Sequence, residues 1–201
     1  MGELILLRHG ETEWSREGRH TGRTDVPLTA KGAASAAALG PMVRDRVAGD
    51  RLVAVLASPA QRAQRTAALA GLTVTKTDPD LWEWDYGGYE GITTADIQKE
   101  RPGWSLWRDG VTPGDADHPG ETIEQVGDRV DRVLARVEPL LAHGDVALVA
   151  HGHVLRVLTA RWLGLLPVEG KLFRLDTGTV STLGWEHDDH VILCWNVPPP
   201  T

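Results

Sequence analysis

Arg8 and His9 directly follow the apolar run Leu4–Leu7, and His151 directly follows the apolar run Val146–Ala150. Both runs break into glycine, at Gly10 and Gly152. Short apolar runs bounded by glycine read as buried strands of a parallel sheet. In open α/β sheets, ligands sit beyond the carboxyl ends of the strands. Neighbouring strands that end alike therefore bring a guanidinium and two imidazoles to one rim. Arg62 joins them, because it falls in the first turn of the helix expected after a third run, Leu52–Ala57. Like charges crowded in this way make sense around an anion. Paired guanidiniums suit the planar, multidentate grip of a phosphate, and a helix N-terminus adds its dipole in the same sense.

Phosphate binding alone leaves the histidine pair unexplained. A neutral imidazole can attack phosphorus and form phosphohistidine. The arginines and the second histidine then stabilise charge on the equatorial oxygens, the main task in phosphoryl transfer. The leaving alkoxide needs a proton. Leu81-Trp82-Glu83-Trp84-Asp85-Tyr86-Gly87 offers two carboxyl groups for it. Glu83 stands between two indoles, an apolar setting that favours the protonated acid; Asp85 is its rival.

The elements that must position these groups read as alternating strands and helices, an α/β chain with a mostly parallel central sheet and helices on both faces. Thr29 caps a helix that runs through an alanine-rich stretch to about Asp45. Ser58-Pro59-Ala60-Gln61 carries the signals of a capped helix start, and that helix runs to about Ala70, before Gly71. Thr73–Thr75 reads as a short strand. Leu81–Pro119 is rich in Trp, Gly, Asp and Pro and reads as an irregular excursion over the rim, with a helix near Thr94–Glu100. Thr122-Ile123-Glu124-Gln125 is a capping box that opens a long amphipathic helix. The strand Val146–Ala150 is followed by a helix over Val154–Leu163. Leu172–Leu175, Val180–Trp185 and Val191–Trp195 read as strands, the last two joined as a hairpin around His187–Asp189.

The bulk numbers set limits on function. The chain has 201 residues, the size of one domain with a real core. We place that domain at 1–197, with 198–201 as a loose proline-rich tail. A net charge of −7 argues against nucleic acid as partner. A small anion feels a local pocket rather than this total. No apolar stretch is long enough to cross a bilayer, so a cytoplasmic protein without membrane association is the expectation. The one cysteine, Cys194, excludes a disulfide framework and reads as a buried strand residue. His20 and His153 flank the site in sequence and read as solvated or supporting groups. His187 and His190 read as solvated, and Trp82, Trp84, Trp104 and Trp107 as core or lid packing.

The chain resembles the histidine phosphatase superfamily, in its phosphoglycerate-mutase-like branch, over essentially its whole length. Arg8-His9-Gly10-Glu11-Thr12 is similar to the family signature, with His9 as the phosphorylated histidine. Gly18-Arg19-His20-Thr21-Gly22, then Asp25 and Pro27-Leu28-Thr29, resemble the loop that follows. Ser58-Pro59 with Arg62-Ala63 and Thr66-Ala67 is similar to the second arginine motif. Glu83 with Asp85, Gly87 and Gly91 resembles the proton-donor segment, which favours Glu83 over Asp85. Gly120-Glu121-Thr122 and Ala150-His151-Gly152 complete the set.

The resemblance implies His9, Glu83, Arg8, Arg62 and His151 as catalytic residues. It implies Ser15, Thr21, Gly22 and Gly152, with Arg8, Arg62 and His151, as substrate contacts. No metal and no cofactor is implied. Departures bear on the substrate. Ser15 stands where the family often has Asn, and Trp84 and Thr94 stand where the mutases carry Arg and Lys. Arg101–Pro119 is short and lacks their paired arginines. A mutase must hold a second anionic group and keep water from the phosphoenzyme. Hydrolysis of small phosphorylated metabolites, releasing inorganic phosphate, is therefore the expected activity. A cofactor-dependent phosphoglycerate mutase is the alternative, kept open by Thr21-Gly22, and an inactive phospho-ligand binding module is a remote one. The sequence leaves a homodimer open.

Overall fold

The computed structural model describes residues 1–46 and 51–200. Its strands are β1 (Leu4–Arg8), β2 (Leu52–Ala57), β3 (Lys76–Thr77), β4 (Asp145–Ala150), β5 (Val180–Glu186) and β6 (Asp189–Val197). Its helices are α1 (Glu13–Glu17), α2 (Ala30–Arg46), α3 (Gln61–Leu69), α4 (Thr94–Glu100), α5 (Leu106–Asp109), α6 (Ile123–Leu141) and α7 (Gly152–Trp162). The strands form one sheet in the order β3-β2-β4-β1-β5-β6. The first four are mutually parallel, and β5 runs against both β1 and β6.

Side-chain alternation along the strands splits the core into two layers. Leu4, Leu6, Val146 and Leu148 meet α6, α7 and the tryptophan-rich segment. Ile5, Leu7, Ala147 and Val149 meet α2 and α3 on the other face. On α6, Val126, Val130, Val133 and Val137 are all 0 % exposed. Each such burial stabilises by roughly 1.5–3 kcal/mol over leaving the side chain in water. The capping box at Thr122 and Gln125 forms as the sequence predicts, and Thr29 Oγ1 accepts the Gly32 N–H at 3.0 Å to open α2.

Register settles the question of the rim. Arg8 pairs with Ala150 at the ends of β1 and β4. His9 N–H then donates to Ala150 O at 3.0 Å, and Ser58 N–H donates to Val149 O at 2.9 Å. The two His-Gly breaks and the start of the Arg62 segment thus lie side by side.

Three local expectations fail. Thr73–Thr75 is not a strand. The Thr75 N–H donates to Val55 O at 2.9 Å, but the Val55 N–H is taken by the Thr75 hydroxyl at 3.0 Å rather than by a main-chain carbonyl, and the ladder of paired residues starts at Lys76. Leu172–Leu175 is not a strand either: a 3-10 turn over Pro167–Leu172 leads into irregular chain. Its carbonyls turn to side chains instead, Leu175 O to Arg8 and Arg174 O to Trp195. Nor does Ser58 cap α3, which starts at Gln61 with no side-chain cap from Ala60. Asp25, on a distant loop, accepts the Gln61 N–H at 2.8 Å. Cys194 lies on β6 but is half-buried.

Candidate active site

A pocket of about 200 Å³ opens at the carboxyl rim. Of the expected residues, Arg8, His9, Ser15, Thr21, Glu83 and Gly152 line it. A larger groove, about 390 Å³ beside α5 and the start of α6, contains none of them.

His9 is 5 % exposed. Its Nδ1 lies 2.7 Å from Gly10 O. A carbonyl only accepts, so Nδ1 carries the ring proton and Nε2 keeps its lone pair. Burial holds the His9 pKa well below the ordinary histidine value, and the charges of Arg62 and Arg8 push it the same way. The ring is therefore neutral and nucleophilic at Nε2.

Arg8 donates through Nη1 to Leu175 O. Its Nε is buried with no partner among the described residues. An unpaired buried donor is costly unless something comes to meet it. The guanidinium lies against Gly152, where a Cβ would sit 3.0 Å from Arg8 Cζ. Glycine, the first residue of α7, allows that approach without displacing the guanidinium.

Glu83 is buried, but its surroundings are not the apolar sandwich expected from the flanking indoles. Its carboxylate accepts main-chain N–H groups from Trp84, His153 and Val154, each at 2.9 Å. It thereby caps α7, whose own N-cap residue His151 supplies no side-chain bond. Asp85, by contrast, accepts the Gly87 N–H at 3.0 Å in its own turn and is not part of the pocket lining.

Arg62 and His151 stand behind His9 rather than in the pocket lining. The rings of His9 and His151 have centroids 5.1 Å apart. Arg62 is 0 % exposed. Its Nε donates to His151 Nδ1 at 3.1 Å, and its Nη groups donate to Thr24 O and Gly22 O at 2.8 Å. With Nδ1 accepting, His151 carries its proton on Nε2, which lies 2.7 Å from Ser58 Oγ. Burial and the Arg62 charge hold the His151 pKa well below the ordinary value. The structure thus joins Arg62 and His151 to the site through the loop and through each other, not by aiming their N–H groups into the cavity.

Gly22 departs furthest from its expected place. Its N–H donates to the Glu90 carboxylate at 3.0 Å, its carbonyl takes Arg62, and a Cβ there would meet Trp84 O at 2.6 Å. It is a packing glycine under the loop. The Ser15 hydroxyl is engaged with Thr12 at 2.9 Å in a capping box.

Sequence reasoning missed Tyr86 and Arg156 and undervalued His20 and His153; all four line the pocket. The Tyr86 hydroxyl lies 2.6 Å from His153 Nδ1. Burial raises the tyrosine pKa well above its ordinary value and lowers the histidine's well below. The phenol therefore keeps its proton and shares a hydrogen bond with a neutral ring. Spacing after the His151 break could have flagged Arg156, since residues four apart share a helix face.

Comparison with known proteins now adds to this geometry. The model of the histidine phosphatase superfamily (branch 1) matches residues 4–198. The chain belongs to that superfamily. It is 41 % identical over 184 residues to an acid phosphatase of Mycobacterium tuberculosis, covering 92 % of this chain and 87 % of the relative. It is 37 % identical over 190 residues to a sedoheptulose 1,7-bisphosphatase of Saccharomyces cerevisiae, covering 80 % and 67 %. A solved structure of a Mycobacterium tuberculosis open reading frame superposes with a TM-score of 0.91 at 38 % identity, covering 99 % of both chains. The neutral His9, Arg8 and the capping carboxylate Glu83 line one cavity at the rim.

Proposed function

We propose that this chain is a histidine-type phosphatase that hydrolyses small phosphomonoesters through a phosphohistidine on His9. The observation that carries the reading is the His9 tautomer: Nδ1 is bound to Gly10 O, so Nε2 is free to attack. Names of relatives agree, an acid phosphatase and a sugar bisphosphatase among them.

In the first step the Nε2–P bond forms as the ester P–O bond breaks. Glu83, as the carboxylic acid, gives its proton to the leaving oxygen. In the second, Glu83 takes a proton from water, which cleaves the P–N bond and releases inorganic phosphate. Arg8 and the Gly152 N–H, at the N-terminus of α7, bind the phosphoryl oxygens. Arg62 supplies charge at close range and holds both His151 and the Thr21–Thr24 loop in place. His151 backs His9, and Ser15 and Thr21 form the cavity wall. Cationic groups carry the electrostatic work, so the reading needs no metal or cofactor.

The mutase alternative is not favoured. Trp84, at the position of the mutase arginine, is 0 % exposed in the core, with its indole N–H on Glu121 O at 2.8 Å. We further propose a cytoplasmic location; no described helix is long and apolar enough to cross a membrane. The His9→Ala variant should neither turn over p-nitrophenyl phosphate nor acquire an acid-labile phosphoryl group from it. Normal turnover in that variant overturns the mechanism.

A further inference from the structure

Helix α7 brings a second guanidinium to the pocket. Arg156 lies four residues after Gly152, so the two share one face of the helix. The intervening turn separates them by about 6 Å at about 1.5 Å per residue. Both line the same cavity.

The Arg156 side chain is half-buried and held in a fixed plane. Nε donates to Gly170 O and Nη2 to Lys171 O, each at 3.1 Å. The guanidinium lies over the Trp107 ring at 4.6 Å from its centroid. Nη1 has no hydrogen-bond partner among the described residues, and Arg156 forms no ion pair among them. One edge of a rigid cation is therefore left open on the wall of a site built for an anion. Of the other two arginines of the wall, Arg8 belongs to the phosphate end and Arg19 is already paired with Glu17 at 2.6 Å. A pure strut between α7 and the 3-10 turn would account for two of the three nitrogens, but not for the open one.

Resting on the phosphatase reading above, we propose that Arg156 seats a second anionic group of the substrate, a carboxylate or a second phosphate. The preferred substrates are then short phosphorylated metabolites that carry a second anion reaching the Arg156 side of the same cavity. His153 lines the same cavity, with its Nδ1 engaged by the Tyr86 hydroxyl. The basic set that the sequence lacks at Trp84 and Thr94 thus has a counterpart from a different element.

Matched substrate pairs test this. 3-Phosphoglycerate against glycerol 3-phosphate isolates a carboxylate, and fructose 1,6-bisphosphate against fructose 6-phosphate isolates a second phosphate. The wild-type enzyme should favour the doubly anionic member of at least one pair in kcat/KM, and the pair showing it identifies the anion. In Arg156→Met, which keeps the stem over Trp107, that preference should fall by about tenfold or more, the usual loss with a charge-assisted bond. Arg156→Lys should restore part of it, and it serves as the test if the methionine variant does not fold. A strut would lower both members alike and leave the ratio unchanged. An unchanged ratio, or no wild-type preference in either pair, overturns the proposal while p-nitrophenyl phosphate turnover still upholds the phosphatase reading. No turnover of any of these esters overturns both.

Discussion

Arg129 is a residue whose loss should reach Glu83, the proposed proton donor, without touching it. It lies on α6 and is 5 % exposed. Nε and Nη2 clasp the Glu121 carboxylate at 2.9 and 3.1 Å. Nη1 donates to Asp80 O at 2.7 Å and Trp82 O at 2.6 Å. The Glu121 carboxylate in turn accepts the Asp85 N–H at 2.9 Å, and its main-chain carbonyl accepts the Trp84 indole N–H at 2.8 Å. The chain on either side of Glu83 is therefore tied to one ion pair. Arg129→Met strands a carboxylate whose side chain is only 15 % exposed, and two carbonyls. Removing one partner of such a pair costs about 3–5 kcal/mol. At about 2–4 °C per kcal/mol for a chain of this size, the midpoint of unfolding should fall by roughly 6–20 °C. The folded variant should also lose activity, since a displacement of about 1 Å in a catalytic group can cost ~100-fold. Urea and thermal unfolding at pH 7 measure the first effect. Steady-state kinetics well below the midpoint, with an alkyl phosphate and with p-nitrophenyl phosphate, measure the second. The loss should be greater with the alkyl ester, whose leaving group needs the proton, and Glu83→Gln should show the same signature. A stability change under about 1 kcal/mol, far below the cost of a broken buried pair, with equal kinetic losses on both esters, would refute the reasoning.

Two further outcomes follow from the same geometry. Gly152→Ala places a methyl 3.0 Å from Arg8 Cζ and should raise KM for p-nitrophenyl phosphate and Ki for inorganic phosphate by about tenfold, the worth of one displaced charged hydrogen bond; unchanged constants would mean that Arg8 does not bind phosphate from this position. The pH dependence has a definite sign. His9, His151 and His153 have folded pKa values depressed well below normal, in each case chiefly by burial. Below the unfolded value of about 6.5, the unfolded chain takes up protons that the folded chain refuses, so stability falls as pH falls. Each group contributes a slope of about 1.4 kcal/mol per pH unit in that range, about 4 for the three. Urea unfolding from pH 7 to 5 should show this decline, and stability that is flat or rises would contradict it. Catalysis by a neutral His9 should persist in the same acidic range.

Much of the site was legible because its parts are local signals. Apolar runs ending in His-Gly mark strand ends, and β1, β2, β4, β5 and β6 all lie where those runs predict. The capping boxes that formed use side chains within three residues, at Thr122 and Gln125. The failures share one cause. At Ser58 and at the start of α7, the orphan N–H groups of a helix are satisfied by carboxylates far off in the chain, Asp25 and Glu83. Local pattern has no access to such partners. The same holds for Thr75, whose hydroxyl takes the Val55 N–H that a main-chain carbonyl would accept in a regular ladder.

The sequence by itself determined which groups meet at the rim, because strand ends in a parallel sheet collect there whatever the loops do. Tertiary structure alone decided how they face. It put Arg62 onto loop carbonyls and His151, turned Gly22 away from the cavity, replaced an apolar setting for Glu83 with three N–H donors, and brought Arg156 into the wall. Those outcomes depend on which donors and acceptors lie within about 3 Å of one another, and that distance is set by packing between elements far apart in the chain.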